Sequence, residues 1–466
     1  MSEVVVVGAG ISGLAAAWEL QRRGYAVTVL EERAVVGGVI DSGTASADVA
    51  TASDATTRFT VEWGPNSALG SASTLLRLAK EVQLDPVCAA EVARSRFIVR
   101  NGRLRKLPSG PLSLLTSRAL SFAGKLRLLR EPWQARGDVA HETVAEFFAR
   151  RCGPELADYV VAPFVSGIYG GLATELEMQS AFPNVARWER EAGSILRGAL
   201  RQRRVKRAQE RDEALRQPRP FTFAGGMAEL PRRLAAALGE AVVPSTTVRS
   251  IDRRDNGWAI ATESKSWGAE HVVVAVPAYA ATTLLAASAP ALSGELTEIP
   301  YGALSVLQVG FERDALQRAV AAAAGAALDG FGFLVPPCES SAILGCIFAS
   351  RVFPHRAPSG HDLLTIFAGG RGVPQWGEQT EDVQRRRMLD ALAQVLGELP
   401  SPTFEQLRHL PRAIPQYVTG HGARIERIDA ALAACPGLHL AGNYLRGIAI
   451  EAAAESGVAA AQAIDS

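Results

Sequence analysis

Lysine is scarce in this chain. It supplies five of the 49 basic side chains, against 44 arginines, and none follows Lys265. Genomic base composition accounts for most of that bias, although arginine's planar fork also suits carboxylates. The five cysteines (Cys88, Cys152, Cys338, Cys346, Cys435) are scattered, odd in number and never spaced CxxC. That argues against a disulfide framework or zinc ribbon and fits reduced thiols. The seven histidines form neither HxH nor HExxH, so no metal is expected. A net charge of +1 offers no footprint for nucleic acid, and no such partner is expected. No apolar run reaches the ~18 residues that would span a bilayer. The first strand begins almost at once, which leaves no room for a signal peptide, so a cytoplasmic location is expected. No internal repeat is present.

What is present is concentrated at the start. Residues 4–31 read VVVVGAGISGLAAAWELQRRGYAVTVLE: strand, glycine turn, helix, second strand, acid. That is the order a dinucleotide site requires. Gly8 permits the tight turn, Gly10 a close backbone approach to a pyrophosphate, and Gly13 close packing of helix on strand. The free N–H groups of the helix start would face the phosphates, and Glu31 would accept from a ribose.

Further along, residues 41–60 are small and polar and read as a long surface loop. Helical periodicity dominates from about Thr74 to Arg216, and residues 197–216 read as a charge-dense, solvated helix. Strand signals return in SWGAEHVVVAVPAYAA, LSVLQVGF, GFGFLVPP, AILGCIFAS and DLLTIFAGG, followed by an amphipathic helix over 381–399. The chain closes as strand, glycine-flanked loop and alanine-rich helix. Gly442 follows an apolar strand, as a backbone approaching a ligand would, and a helix starting near Ile450 would aim its positive end there. One site built from both ends of the chain is the natural reading.

With these motifs in view, the chain resembles the oxygen-dependent protoporphyrinogen oxidases of haem biosynthesis, within the flavin amine-oxidase superfamily. The similarity runs nearly end to end, through GAGISGLAAAWEL, VVGGVI, VEWGPNS, SRFIVRNGRLRKLPS, FVSGIYGG, FAGGMAELPRRL, VVVAVPAYAATTLL, GFGFLVP, ASRVFPHRAP, AIPQYVTGH and GNYLRGIAI. GPNS, GFGFLVP, FPHRAP and IPQY are its specific parts. The resemblance implies an α/β and α+β fold, in which a Rossmann-like FAD-binding domain (1–86, 223–290 and 411–466) is interleaved with two others. These are a helical, potentially membrane-facing domain (87–196) and a mixed-sheet substrate domain (197–222 and 291–410).

The implied cofactor is FAD. By position, Gly8, Gly10, Ile11, Ser12, Gly13, Glu31 and Glu32 match its pyrophosphate and ribose contacts. Gly37 and Gly38 match the pair beneath it, with Gly64 and Pro65 beside them. Val248 matches the residue that holds the adenine through its backbone, and Gly442, Ile448, Ala449 and Ile450 match the segment along the flavin. For substrate, Arg96 matches an arginine placed against a propionate. Leu334, Ile347 and Phe367 match the residues that sandwich the macrocycle, and Asn66 lies on the GPNS turn. No catalytic side chain is assigned. The residue types suit a large flat apolar face rimmed by carboxylates. Arg94, Arg96, Arg100, Arg103, Arg105 and Lys106 cluster here; residue type alone makes each of them solvated surface, and only Arg96 is singled out by the match.

The implied reaction is porphyrinogen oxidation, with hydride passing to flavin N5 and molecular oxygen as the final acceptor, giving hydrogen peroxide. No second GxGxxG appears for a nicotinamide cofactor. Coproporphyrinogen III is the alternative substrate, and a flavin-binding protein with little turnover the alternative role. An amine oxidase would keep a lysine late in the chain, which is missing here. Peripheral contact with the inner face of the cell membrane and a homodimer are left open. Val35, Leu172, Ala452 and Ala453 depart from the family pattern, at positions where arginine, aspartate, an acid and a cysteine are usual.

Overall fold

Val4 to Val7 have no polar side to turn to water, and the strand they form, β1 (Glu3–Val7), lies at the centre of a parallel sheet. The computed structural model describes residues 3–46, 58–108, 110, 113, 116–139, 141–209, 216–324 and 328–464. Beside β1 on one side lie β2 (Ala26–Leu30) and β9 (Val242–Val243). On the other lie β13 (His271–Val274) and β19 (Leu438–Leu440), giving the order β19–β13–β1–β2–β9. The two ends of the chain thus meet in one sheet.

Helix α1 (Ile11–Arg22) leaves β1 and α6 (Ile450–Gln462) follows β19; the two pack on each other. A Cβ added at Gly457 would stand 1.9 Å from the Ser12 carbonyl oxygen, so only glycine permits this approach. Because β1 and β19 run in the same direction, both helices begin at the carboxyl edge of the sheet. Ligands of open α/β sheets bind at that edge.

A second sheet has seven strands in the order β18 (Phe404–Pro415), β14 (Tyr301–Glu312), β17 (His361–Gly369), β16 (Ile343–Ile347), β15 (Gly332–Leu334), β6 (Phe97–Arg100) and β7 (Arg103–Lys106). Only β15 and β6 pair in parallel. One face buries Leu307, Val309, Phe311, Phe333 and Ile366 with Leu316, Met388 and Leu392 of two covering helices. The other face receives the hairpin of β3 (Ser42–Ser46) and β4 (Arg58–Glu62), whose Phe59 ring lies against Gly310. A meander of β10 (Val248–Arg254), β11 (Gly257–Thr262) and β12 (Ser266–Ala269) flanks the first sheet, and β5 (Val87–Cys88) pairs with β8 (Phe221–Thr222).

Helices α2 (Ser73–Glu81), α3 (Phe122–Leu129), α4 (Ala162–Tyr169) and α5 (Ile195–Gln209) complete the elements used below. Among the helices after residue 120, Arg151 is fully buried and ion-pairs with Glu131 and Glu189. Glu131 also accepts from Ser194 Oγ and the Ile195 N–H, at 2.6 and 2.8 Å, which pins the start of α5.

The structure departs from four expectations of the sequence. The loop expected over 41–60 contains β3, whose small polar side chains gave no strand signal, and the first residues of β4; residues 47–57 lie outside the described residues. The helical stretch from Thr74 is interrupted by β5, β6 and β7, so Phe97–Lys106 joins the seven-stranded sheet rather than the helical part. Helix α5, placed with the substrate sheet, packs instead on the helix Pro183–Ala192. Strand β18 runs through Pro415, past the boundary expected at 410.

Candidate cofactor and substrate site

Gly8 takes φ +103° and its N–H donates to the Leu30 carbonyl at 2.8 Å, closing the turn after β1. A Cβ at Gly13 would collide with the Gly8 carbonyl at 1.9 Å, which ties α1 to that turn. Gly10 caps α1 without any side-chain partner, and Ile11 and Ser12 form its buried first turn. Gly37 (φ +114°) donates to the Ala9 carbonyl at 2.8 Å, and a Cβ at Gly38 would sit 3.3 Å from Gly10 Cα. Gly64 packs on the Val39 carbonyl, bringing the Gly64–Pro65 turn beside this pair.

Glu31 is buried and already engaged. Its carboxylate accepts from the Ala9 N–H at 2.7 Å and the Arg33 N–H at 3.0 Å, so it braces the glycine turn. Glu32 is exposed. The Glu31 backbone bonds to Val243 and Thr246, which brings Val248, half-buried at the start of β10, alongside. At the C-terminal end Ala449 caps α6, again without a side-chain partner, and Ile450 opens it. Ile448 packs on the helical part. At Gly442 the Tyr444 ring fills the place a side chain would take, so the protein's own packing requires this glycine.

These groups fit a dinucleotide. Two helices open uncapped at one sheet edge, leaving first-turn N–H groups without intrahelical acceptors. A Cβ at Gly10 would meet no atom of the described residues within 4 Å, so the side-chain direction there points into open space. FAD would be held by the residues of these two helix starts and the Gly37–Gly38 turn.

A buried polar node joins this region to the second sheet. Arg356 is 1% exposed. It donates from Nη2 to Glu62 Oε1 (3.0 Å), Thr222 Oγ1 (3.1 Å) and the Asn66 carbonyl (2.5 Å), and from Nη1 to Asn66 Oδ1 (3.1 Å). Glu62 further accepts from Ser42 Oγ at 2.5 Å and the Met227 N–H at 2.8 Å. Burial lifts the Glu62 carboxyl to about 7 against the opposing pull of Arg356. Asn66, expected on the substrate side, is therefore turned inward. The motifs GPNS, FAGGM and FPHRAP meet at the Glu62–Arg356 pair.

On the open face of the seven-stranded sheet, Leu334 lies opposite Gly345 and Gly345 opposite Phe367, while Ile347 lies opposite Gly332. Directly opposed residues share a face, as do residues two apart. Leu334, Ile347 and Phe367 therefore point the same way, and each is only half-buried in a strand otherwise largely enclosed. The Leu334 side chain reaches Gly167 of α4, so the helical part roofs this face. Arg96 is exposed at the rim with its guanidinium 5.3 Å from the centre of the Phe331 ring.

The loop before α6 is secured by residues that the site assignment left out. Tyr417 Oη accepts from the Gly447 N–H and donates to the Asn443 carbonyl, both at 2.6 Å. Its ring stacks on His421 at 4.0 Å, and His421 Nε2 lies 3.1 Å from the Leu445 carbonyl. Burial pushes the His421 imidazole down to about 4. Gln416 Nε2 donates to the Tyr169 carbonyl at 2.6 Å, tying the same strand end to α4. The charge within FPHRAP and the polar pair in IPQY were the signals available for Arg356, Gln416 and Tyr417. Glu62 was hidden beside a GPNS turn read only for its cofactor and substrate contacts.

Comparison with known proteins follows the same lines. The flavin containing amine oxidoreductase family model matches residues 11–465. The chain is 32% identical to a protoporphyrinogen oxidase of Bos taurus, over 98% of this chain and 97% of that one. It is 31% identical to protoporphyrinogen oxidase 2, chloroplastic/mitochondrial, of Arabidopsis thaliana, over 99% and 93%. Among solved structures, one from an Exiguobacterium species, provisionally named a protoporphyrinogen oxidase, superposes with TM-score 0.80 at 22% identity, covering 100% of this chain and 98% of that one. Cyclohexylamine oxidase of Brevibacterium oxydans gives 0.68 at 19%, covering 99% and 98%. The last two establish a shared fold.

Proposed function

From a chain that belongs to the flavin containing amine oxidoreductase family, and is an FAD-dependent oxidoreductase, we infer oxidation of protoporphyrinogen IX to protoporphyrin IX. Molecular oxygen is the proposed acceptor and hydrogen peroxide its product. FAD, when bound, supplies the two-electron acceptor chemistry. The observation that carries the reading is the half-buried row of Leu334, Ile347 and Phe367, facing α4 with Arg96 at its rim.

The chain's own residues have separable tasks. The apolar row would cover one face of the macrocycle and exclude water, at roughly 25 cal/mol per Å² of apolar area buried. Arg96 would bind a propionate through two parallel hydrogen bonds. The start of α6 would place positive potential where the reduced flavin ring carries negative charge. Steady-state growth of porphyrin fluorescence under air, with peroxide measured alongside, tests the reading. Fluorescence no faster than in buffer would remove it. Arg96→Ala should raise KM about tenfold or more, the loss of one charge-assisted contact.

We also propose that the helical part rests on a membrane surface. No helix of the described residues is long and apolar enough to cross one. Phe122, Leu126 and Leu129 nevertheless form an exposed stripe along α3, and Trp133, 76% exposed, follows it. Leu196 and Leu200 of α5 are exposed next to that tryptophan's short helical turn, with Arg197, Arg201 and Arg204 beside them. Apolar side chains flanked by arginine suit an anionic lipid surface.

A further inference from the structure

The hairpin of β6 and β7 sorts its basic residues onto two faces. Ile98 lies opposite Arg105, Arg100 opposite Arg103, and Phe97 opposite Lys106. Ile98 also lies beside Leu334 across the parallel ladder. Arg105, Arg100 and Arg103 therefore share the face of Leu334 and Phe367, whereas Lys106 lies on the opposite face with Phe97. Arg96 continues the same row, since its carbonyl accepts from the Leu107 N–H at 2.8 Å.

Only Arg100 is neutralised. It pairs with Glu155 at 2.6 Å, donates to the Ala119 carbonyl at 2.5 Å and lies over the Tyr159 ring. Among the described residues, no carboxylate lies within 4.0 Å of the Arg96, Arg103 or Arg105 guanidinium. Arg105 is nevertheless half-buried beside Ile98. A half-buried, unpaired guanidinium next to an apolar row is a binding group for an anionic edge of whatever covers that row. The diagonal offset between Arg96 and Arg105 is about 7–8 Å at the backbone. Two arginines so placed can each take a separate carboxylate.

We propose that Arg105 is a second carboxylate-binding residue, which with Arg96 lets the same site also take porphyrinogens bearing a propionate on every ring. This rests on the porphyrinogen reading above. The rival explanation is that charges on β7 merely guard an edge strand against pairing with other chains.

The two can be separated with the FAD-loaded enzyme, measuring kcat and KM for coproporphyrinogen III and protoporphyrinogen IX under air. Arg105→Gln should raise KM about tenfold for coproporphyrinogen III and less than about threefold for protoporphyrinogen IX, with kcat held within about twofold. Arg105→Lys should recover part of the loss. Lys106→Gln, which removes equal charge from the opposite face, should leave both constants in place. Equal shifts on both substrates, no shift on either, or the same effect from Lys106→Gln would overturn the proposal. A wild-type enzyme that oxidises neither porphyrinogen would instead remove the reading beneath it.

Discussion

A Cβ at Gly13 would strike the Gly8 carbonyl at 1.9 Å, whereas one at Gly10 would meet no atom of the described residues within 4 Å. Gly13 is thus required by the fold, whereas Gly10 opens onto free space that the bound cofactor is proposed to take. Gly10→Val should leave secondary structure intact by circular dichroism while the purified protein loses its yellow colour; Gly13→Val should reduce the yield of folded protein. A yellow Gly10→Val protein would count against the placement. The roles of Gly8 and Gly13 were legible in the sequence because their spacing and flanking strands leave one geometry. The inward turn of Asn66 was not, because its partner Arg356 lies 290 residues away. Glu62 offers a second test at this scale. Its carboxyl is raised to about 7 in the folded chain, so its contribution to stability is present below the ordinary carboxylate value and lost as pH rises through about 7. Glu62→Gln cannot titrate. The wild type's stability advantage over this variant should therefore shrink by roughly 2–3 kcal/mol between pH 5 and pH 8 in denaturant titrations. An advantage that grows with pH would mean an ionised, tightly held pair.

Elements differ in how openly they announce themselves. Strand β1 and helices α1 and α6 were readable because their apolar spacing and glycine punctuation agree. Hairpin β6–β7 was passed over although Asn101–Gly102 stands at its turn, with φ of 52° and 66°; that dipeptide is the strongest short-range hairpin signal. Strand β3 (SGTAS) could not have been found this way. It is a strand because β4 pairs with it and Phe59 packs beneath β14, contacts that depend on context rather than propensity. The exposed stripe of α3 and α5 is an element-scale feature too, and its test is binding to phosphatidylserine–phosphatidylcholine vesicles. Replacing Phe122 and Trp133 together by serine should weaken that binding at least about tenfold, since each buried large side chain contributes roughly 1.5–3 kcal/mol. Turnover of dispersed substrate should stay within about twofold. Unchanged vesicle binding would place the contact elsewhere or nowhere.

For the whole molecule, the decisive feature is that residues 3–30 and 438–462 build one sheet and one pair of packed helices. A cofactor held there stabilises both ends together, so FAD should raise the melting temperature with the logarithm of its excess over Kd. The polar node at Glu62 and the Tyr417 contacts then carry that geometry to the sheet face of Leu334, Ile347 and Phe367. Substrate and cofactor would thus be positioned by one continuous structure. The most direct measurement is to mix the purified yellow protein with reduced porphyrinogen in the absence of oxygen and follow flavin absorbance. The account predicts that the oxidised flavin band is lost within a single turnover and returns when air is admitted, as porphyrin fluorescence accumulates. A band that stays oxidised in the presence of excess porphyrinogen would contradict it.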